Sequence, residues 1–211
     1  VVFPELSLTG YEPDLAESLA TNQDDTRLDE MQIISNNSSI TIAVGLPTRK
    51  EREVFVSMII FQPHKERITY SKQYLYPPEK AIFKAGKNPL VLNFEKEVIS
   101  PAICYEASVE AHCEFACQNN ATVYIASVLS SVTGIDSELK KLSGIARNKH
   151  MVTFMANYVG KSGGYECAGK SSVWNEKGEL IGQLGDKEEG LIVFDTKSKE
   201  IVTATNTRHC M

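Results

Sequence analysis

The sequence has little surplus charge of either sign, few cysteines and no long apolar run. The 211 residues include 22 basic and 27 acidic side chains, for a net charge of −5. The chain therefore lacks the positive surplus that proteins use to bind nucleic acid. It contains no run of about 18 apolar residues, which a membrane-spanning helix would require, and its first residues lack the basic start and apolar core of a secretion signal. We therefore expect neither nucleic acid nor a membrane as a partner.

The five cysteines, at positions 104, 113, 117, 167 and 210, are odd in number and lack the spacing of a disulfide framework. Such cysteines are typical of reduced thiols, so the sequence predicts a cytoplasmic protein. Hydrophobic residues make up 42% of the chain and charged residues 23%, as in an ordinary globular protein. Because no repeat, low-complexity tract or linker interrupts the sequence, we predict a single domain over residues 1–211.

Apolar, β-branched runs alternate with segments of helical spacing, which predicts a layered α/β fold. The predicted strands cover residues 40–45, 54–61, 68–72, 90–94, 98–104, 122–128, 152–157, 172–174, 180–184 and 191–195. The predicted helices cover residues 24–36, 107–120 and 136–150, with Asp136 as an N-cap, and a short helix is expected over 13–20. Short, turn-like connections between the first three strands predict an antiparallel meander. Residues 175–178 predict the turn of a hairpin.

Three predicted strands end at reactive side chains. Glu5 follows Phe3-Pro4, Lys72 lies in the segment TYSKQYLYP, and Cys104 ends the segment ISPAIC. A helix expected to begin near Ala107 would place Cys104 at its N-terminus, where the macrodipole lowers a thiol pKa and free N–H groups can bind an oxyanion. Since a carboxylate can take the thiol proton and a lysine can hold negative charge, these residue types suffice for acyl transfer without histidine.

In order, the segments FPELSLTGY, YSKQYLYP and ICYEA resemble the three motifs of the nitrilase superfamily of carbon-nitrogen hydrolases. Residues 156–160 and 169–178 also resemble that family, so the resemblance covers essentially the whole chain. It implies a four-layer αββα sandwich and a dimer. It also implies a reaction through a thioester acyl-enzyme, with no metal or organic cofactor.

The resemblance implies a role for each matching residue. Glu5 matches the general base, Lys72 the lysine that stabilises the transition state, and Cys104 the nucleophile. Many members carry a second glutamate shortly after the lysine, and Glu79 is the candidate here. Glu106 follows the nucleophile closely, and we favour a simple first-turn helix charge for it over a supporting role in the site.

Specificity is expected to come from the loops that begin near Tyr11, Tyr74 and Ser127. Tyr11, Tyr74, Tyr105 and Ser127 are therefore the candidate substrate-binding residues, although the three tyrosines could equally serve as packing. We expect hydrolysis of a non-peptide carbon–nitrogen bond in a small amide or N-carbamoyl compound, with nitrile hydrolysis as a less favoured variant.

A catalytically weak or silent protein with an interaction role is the alternative. Its basis is that family members usually begin with a strand and a long helix ahead of the first motif. About 30 to 40 residues would be missing here, at typical element lengths. Missing elements uncover a sheet edge, so we expect a homo-oligomer, most simply a dimer, with residues 203–211 reaching across the interface.

Three further patterns match functional motifs without the context that those motifs need. Residues 164–171 fit the phosphate-binding P-loop and residues 160–164 fit the serine nucleophile elbow, but a strand and a turn are predicted to follow, where both motifs need a helix. A serine triad would also need a histidine later in the chain, and only His209 is available. His112, Cys113, Cys117 and Cys167 fit no standard zinc spacing, so core thiols are favoured.

Overall fold

The computed structural model describes residues 1–206 as two β-sheets, two hairpins and four α-helices. The strands are β1 (Ile42–Lys50), β2 (Glu53–Phe61), β3 (Ile68–Ser71), β4 (Leu92–Asn93), β5 (Val98–Ile103), β6 (Val123–Val128), β7 (Val152–Asn157), β8 (Val159–Ser162), β9 (Tyr165–Ala168), β10 (Ser172–Trp174), β11 (Leu180–Gln183), β12 (Gly190–Phe194) and β13 (Ile201–Thr205). The helices are α1 (Ala16–Leu19), α2 (Asp29–Ser38), α3 (Glu110–Gln118) and α4 (Ile135–Lys149), and 3-10 turns lie at Pro13–Leu15, Thr26–Leu28, Pro77–Ala81 and Cys104–Ser108.

The smaller sheet is the predicted antiparallel meander, β1-β2-β3. Both faces of β2 are apolar because both are covered. Ile59 and Phe61 pack with Leu28 and the residues next to α2 on one face, whereas Met58 and Ile60 face the opposite way. This double burial explains why the strand reads as a continuous apolar run and not as an alternating one.

The larger sheet has the order β11-β10-β7-β6-β5-β4. Its central strands β5, β6 and β7 are parallel, because α3 and α4 provide the crossovers between them. The two helices cover the outer face, where Leu142 and Ala146 pack with Tyr124, Ala126 and Met155. The parallel arrangement brings the carboxyl ends of β5 and β6 to one edge, and Cys104 follows β5 at that edge.

The inner faces of the two sheets pack against each other. Met58 and Ile60 of β2 join Leu92 and Ile103 of the larger sheet in one buried cluster. The order of layers is therefore α2, smaller sheet, larger sheet, then α3 with α4, which confirms the expected αββα sandwich. The hairpin of β12 and β13 covers a further part of the inner face, where Phe194 packs edge-on against Phe154 at 6.1 Å between ring centroids.

Two predicted helix starts are wrong. The helix expected from residue 107 begins at Glu110, because Cys104–Ser108 forms a 3-10 turn and Val109 is extended. The helix expected from Asp136 begins at Ile135 with Gly134 as its N-cap, and no side chain caps it. The predicted helix over residues 24–36 is a 3-10 turn followed by α2.

Sequence patterns missed three strands in the last third of the chain. Strands β8 and β9 form a hairpin in the glycine-rich segment, with Gly163 and Gly164 at positive φ in its turn, and β13 pairs with β12. The segment 164–171 leads into β10, so neither the P-loop nor the serine elbow has its helix. Residues 207–211 lie outside the described residues. They include His209, Cys210 and most of the segment expected at an interface.

Among the helices of residues 1–206, none has both the length and the apolar character needed to span a membrane.

Candidate active site

Glu5 is held by the edge of the smaller sheet. Val2 forms a parallel bridge to Ala43 of β1, and the chain then turns over residues 5–9 with Leu6 at a φ of +53°. Gly45 allows this approach, because a Cβ there would lie 2.3 Å from the backbone nitrogen of Leu6. The glycine therefore sets how deeply the Glu5 turn enters the protein, and the Glu5 side chain is buried.

Lys72 follows β3 and carries the central charge of the site. Its Nζ donates to Glu5 Oε1 at 2.7 Å and to Glu79 Oε1 at 2.9 Å, and its side chain is fully buried. Glu79 lies on the 3-10 turn Pro77–Ala81, where its second oxygen accepts the backbone N–H of Tyr76 at 2.8 Å. One ammonium is thus held between two buried carboxylates.

Burial and charge pairing act in opposite directions on this group. Burial alone would lower the pKa of Lys72, but Glu5, the Cys104 sulfur and Glu79 raise it above its usual value. Burial raises the pKa of Glu5, with Glu79 adding to the shift and Lys72 opposing it. Lys72 is therefore a permanent cation, while Glu5 is a more basic carboxylate than one in water.

Cys104 begins the 3-10 turn after β5 with a φ of +49°, in the left-handed region that a non-glycine residue rarely adopts. Its sulfur lies 4.0 Å from the carbonyl oxygen of Leu129. Burial raises the pKa of the thiol, with the charge of Glu5 adding to the shift and Lys72 opposing it. The expectation of a lowered pKa is therefore wrong, because burial dominates, and α3 begins only at Glu110.

A thiol with a raised pKa is protonated at rest and needs a base. Glu5 is the candidate base, because Glu5 and Cys104 lie close enough for each to shift the pKa of the other. The arrangement places a carboxylate beside the sulfur and a cation beside the carboxylate. It can therefore move a proton off the sulfur and stabilise negative charge that develops nearby.

The three candidate tyrosines occupy different places. The Tyr11 hydroxyl donates to Glu79 Oε1 at 3.0 Å, so Tyr11 reaches the charged cluster directly. Tyr74 packs edge-on against His112, and Tyr105 packs against Tyr76 at 5.7 Å between ring centroids. Within residues 1–206, neither ring makes a hydrogen bond to Glu5 or Lys72.

Ser127, the fourth candidate, is buried at the end of β6. Its Oγ donates to the carbonyl oxygen of Phe3 at 2.8 Å. This bond ties the segment that leads into Glu5 to the larger sheet, so the hydroxyl supports the base.

Glu106 makes buried contacts that the sequence did not reveal. Glu106 does lie in the first turn of the 3-10 turn Cys104–Ser108, but its side chain is completely buried, which the interpretation as a simple first-turn helix charge did not predict. Its two oxygens accept the backbone N–H groups of Gln73 at 2.6 Å and Ile103 at 2.7 Å, and the Tyr70 hydroxyl at 2.9 Å. Burial raises its pKa to about 7, opposed by these hydrogen bonds. The one available sequence signal was Tyr70, which lies two residues from Lys72 and so shares its face of the extended chain.

His112 and Cys113 belong to the same buried region. Both ring nitrogens of His112 contact tyrosine hydroxyls, Tyr70 at 3.0 Å and Tyr124 at 2.9 Å. Within residues 1–206, no three or more His, Cys, Asp or Glu side chains are grouped to hold a metal.

The hairpin of β8 and β9 joins two loops that border the site. Ser162 accepts the backbone N–H of Tyr11 at 3.0 Å, while the N–H of Ala168 donates to the carbonyl of Ser130 at 3.0 Å. These bonds hold the loop after Glu5 and the loop after β6 against one hairpin. Its glycine-rich sequence carries no strand periodicity, so no pattern could have indicated this role.

Comparison with known proteins gives a consistent result. The chain matches the carbon-nitrogen hydrolase family over residues 1–205. The hydrolase in the agr operon of Staphylococcus lugdunensis is 26% identical over 201 residues, covering 92% of this chain and 85% of that protein.

Solved structures of an amidase from Nesterenkonia sp. AN1 share the fold. One, in which acrylamide has added to the active-site cysteine, has a TM-score of 0.79 at 24% identity and covers 88% of this chain and 75% of that one. Another, a complex with butyramide, has a TM-score of 0.79 at 22% identity, covering 96% of this chain and 76% of that one.

Proposed function

Because the chain belongs to the carbon-nitrogen hydrolase family and is an enzyme of the amidase and nitrilase type, we propose that it hydrolyses small amides or N-carbamoyl compounds through a thioester on Cys104. The observation that carries the proposal is the buried contact of Lys72 with Glu5 and Glu79, next to the Cys104 sulfur. Enclosed, paired charges of this kind are costly to bury and are a feature of functional sites.

In the acylation step, Glu5 accepts the thiol proton while the sulfur attacks the amide carbonyl carbon. A carbon–sulfur bond forms, and the carbonyl oxygen takes the electron pair as an oxyanion, which Lys72 stabilises. When the oxyanion collapses, the carbon–nitrogen bond breaks and the proton held by Glu5 passes to the leaving nitrogen. Ammonia or an amine departs and the acyl group remains on Cys104.

In the deacylation step, water attacks the thioester and Glu5 accepts a proton from it. The carbon–sulfur bond breaks, the carboxylic acid product leaves, and the proton on Glu5 returns to the sulfur. Glu79 and Tyr11 assist by fixing the lysine, since Glu79 Oε1 accepts from both Lys72 and Tyr11. The base and the cation therefore keep their positions through both steps.

Small acyl groups are favoured as substrates. The Nesterenkonia amidase, which shares this fold, has been captured with acrylamide and with butyramide. In this chain Cys104 is half-buried, and the Glu138 carboxylate, whose charge adds to the raised pKa of Cys104, has one buried oxygen without a hydrogen-bond partner in residues 1–206. That oxygen is an acceptor available to the N–H groups of a short amide.

We also propose that the enzyme works in a reducing compartment such as the cytoplasm and forms a homodimer. The reducing compartment is supported by four free thiols, those of Cys104, Cys113, Cys117 and Cys167. Leu191, Val193 and Val202 of the last hairpin are exposed, and apolar area of this kind supports association. Sedimentation equilibrium tests the dimer, and a single monomeric species would refute it.

The test of the function is ammonia release from acetamide, propionamide, butyramide and N-carbamoyl amino acids. We expect turnover of at least one of them, loss of nearly all of it in Cys104→Ser, and retention in the matched control Cys113→Ser. Turnover that survives in Cys104→Ser would refute the mechanism. If no substrate in the panel is turned over, the silent, interaction-type alternative replaces the proposal.

A further inference from the structure

Glu106 connects the two strand ends that carry the lysine and the nucleophile. One of its oxygens accepts the N–H of Gln73, the residue after Lys72, and the other accepts the N–H of Ile103, the residue before Cys104. The two strands belong to different sheets. A single buried carboxylate therefore fixes the backbone next to Lys72 relative to the backbone next to Cys104.

A directed chain of hydrogen bonds ends at this carboxylate. The Tyr70 hydroxyl donates to Glu106, so it must accept from His112 Nε2, which lies 3.0 Å away. His112 then has an unprotonated Nδ1, which accepts from the Tyr124 hydroxyl at 2.9 Å. Burial lowers the pKa of His112 to about 4, in agreement with a neutral ring. Every donor in this series of hydrogen bonds has an acceptor, which makes the arrangement rigid.

The backbone next to this carboxylate needs such support. Cys104 has a φ of +49°, and a non-glycine residue holds that conformation only when its surroundings determine it. The Ile103 N–H bond to Glu106 is formed immediately before the strained residue. Without it, Cys104 could relax toward ordinary backbone angles and carry its sulfur away from Glu5.

We propose that Glu106 is a positioning residue for the reaction, whose ionised carboxylate sets the distance between Lys72 and the Cys104 sulfur. The proposal rests on the proposed function, since a distance between these groups matters only if both act on one substrate. Three donors, two N–H groups and one hydroxyl, point at the carboxylate, and a proton on it would compete with one of them.

The groups that face Glu106 from each neighbouring element are Tyr70 on β3, Lys72 after it and His112 on α3, with Tyr124 on β6 behind the histidine. Of these, Lys72 alone carries a charge near neutral pH, and it favours the ionised form of Glu106. Burial opposes this, so the pKa of Glu106 is about 7. Ionisation of the positioning group therefore falls near neutral pH.

The experiment compares Glu106→Gln with Glu110→Gln, an exposed glutamate on α3 that serves as the matched control. The amide keeps the shape of the side chain but turns an NH2 group toward one of the backbone N–H donors. Cys104 is titrated with iodoacetamide and mapped by mass spectrometry, and kcat is expressed per titratable Cys104. We expect kcat per site to fall about a hundredfold in Glu106→Gln, as for a misplaced reacting group, with KM within about twofold.

A merely structural role would lower the number of titratable sites and leave kcat per site unchanged, and that result would overturn the proposal. If Glu106→Gln does not fold, Tyr70→Phe keeps the carboxylate and removes one donor. Its kcat per site should then fall about tenfold, and an unchanged value would refute the proposal.

The rate of Cys104 alkylation separates this proposal from the proposed function. An inactive wild-type protein refutes the function. Equal Cys104 alkylation rates in wild type and Glu106→Gln refute the positioning role whether or not any amide is turned over. We expect the rate to drop about tenfold or more in the variant, because the sulfur no longer faces its base.

Discussion

Two buried polar clusters meet near the ends of β3 and β5, and they are built differently. The reactive cluster, Glu5, Lys72, Glu79 and Cys104, holds one cation between two carboxylates, beside a thiol whose pKa is raised by burial. The support network, Tyr70, Glu106, His112 and Tyr124, has one carboxylate, and its hydrogen bonds all point toward it. The first arrangement leaves a proton free to move, whereas the second leaves none. Burial of polar side chains therefore supports reactivity in the first cluster and rigidity in the second.

The largest effect should come from removing the one cation of the reactive cluster. Lys72→Met leaves Glu5 and Glu79 buried without a counter-charge, so we expect a loss of about 3–5 kcal/mol in the free energy of unfolding. Loss of the oxyanion donor should also lower kcat by about a hundredfold or more. Lys80→Met, an exposed lysine on the neighbouring 3-10 turn, is the control. Urea unfolding and ammonia release measure both quantities, and normal stability in Lys72→Met would contradict the ion-pair account.

The support network predicts two pH slopes of opposite sign. His112 has a pKa lowered to about 4, so its contribution to stability is present above its unfolded pKa and is lost as pH falls through about 4. Glu106 has a pKa raised to about 7, so its contribution is present below its unfolded pKa and is lost as pH rises through about 7. Each shift corresponds to about 3 kcal/mol.

The variants Glu106→Gln and His112→Phe separate the two slopes. With Glu106 replaced, the histidine slope remains, and stability should fall as pH is lowered from about 6.5 to 4. With His112 replaced, the carboxylate slope remains, and stability should fall as pH is raised from about 4.5 to 7. Urea unfolding at several pH values gives the slopes. Slopes of the same sign in the two variants would show that the groups do not titrate as this structure implies.

A smaller effect should come from the backbone contact that places the base. Gly45→Ala puts a Cβ 2.3 Å from the nitrogen of Leu6, so the Glu5 turn must move. We expect a loss of about 1–3 kcal/mol in the free energy of unfolding and a reduced kcat. Gly144→Ala is the matched control, since nothing lies within 4 Å of its Cβ and it is inside α4. That change should raise stability by about 0.5–1 kcal/mol. Equal changes in stability for Gly45→Ala and Gly144→Ala would contradict the claim that Gly45 fixes the position of the Glu5 turn.

Local sequence patterns predicted much of the fold and part of the site. The meander, most strand positions and three of the helical regions followed from periodicity, whereas the parallel direction of β5, β6 and β7 was not predicted. Glu5, Lys72 and Cys104 were named from three short motifs, and Glu79 from the family resemblance. Each of these signals is contained in a few neighbouring residues.

The role of Glu106 could not be predicted because it depends on contacts distant in sequence. Its partner Gln73 follows β3 of the other sheet, and only the packing of the two sheets brings them together. The 3-10 turn after Cys104 was missed for a related reason, since helical periodicity does not distinguish a short turn from the first turn of α3. The hairpin of β8 and β9 has too few apolar residues to show the alternation that indicates a strand.

The most direct test of the central claim is capture of the acyl-enzyme. Wild-type protein is mixed with a small amide that it hydrolyses, quenched in acid within one turnover and measured by intact-protein and peptide mass spectrometry. The account predicts one added acyl group, mapped to Cys104, released by hydroxylamine as expected of a thioester and absent in Cys104→Ser. An acyl group on any other residue, or turnover in Cys104→Ser without such an adduct, would contradict it.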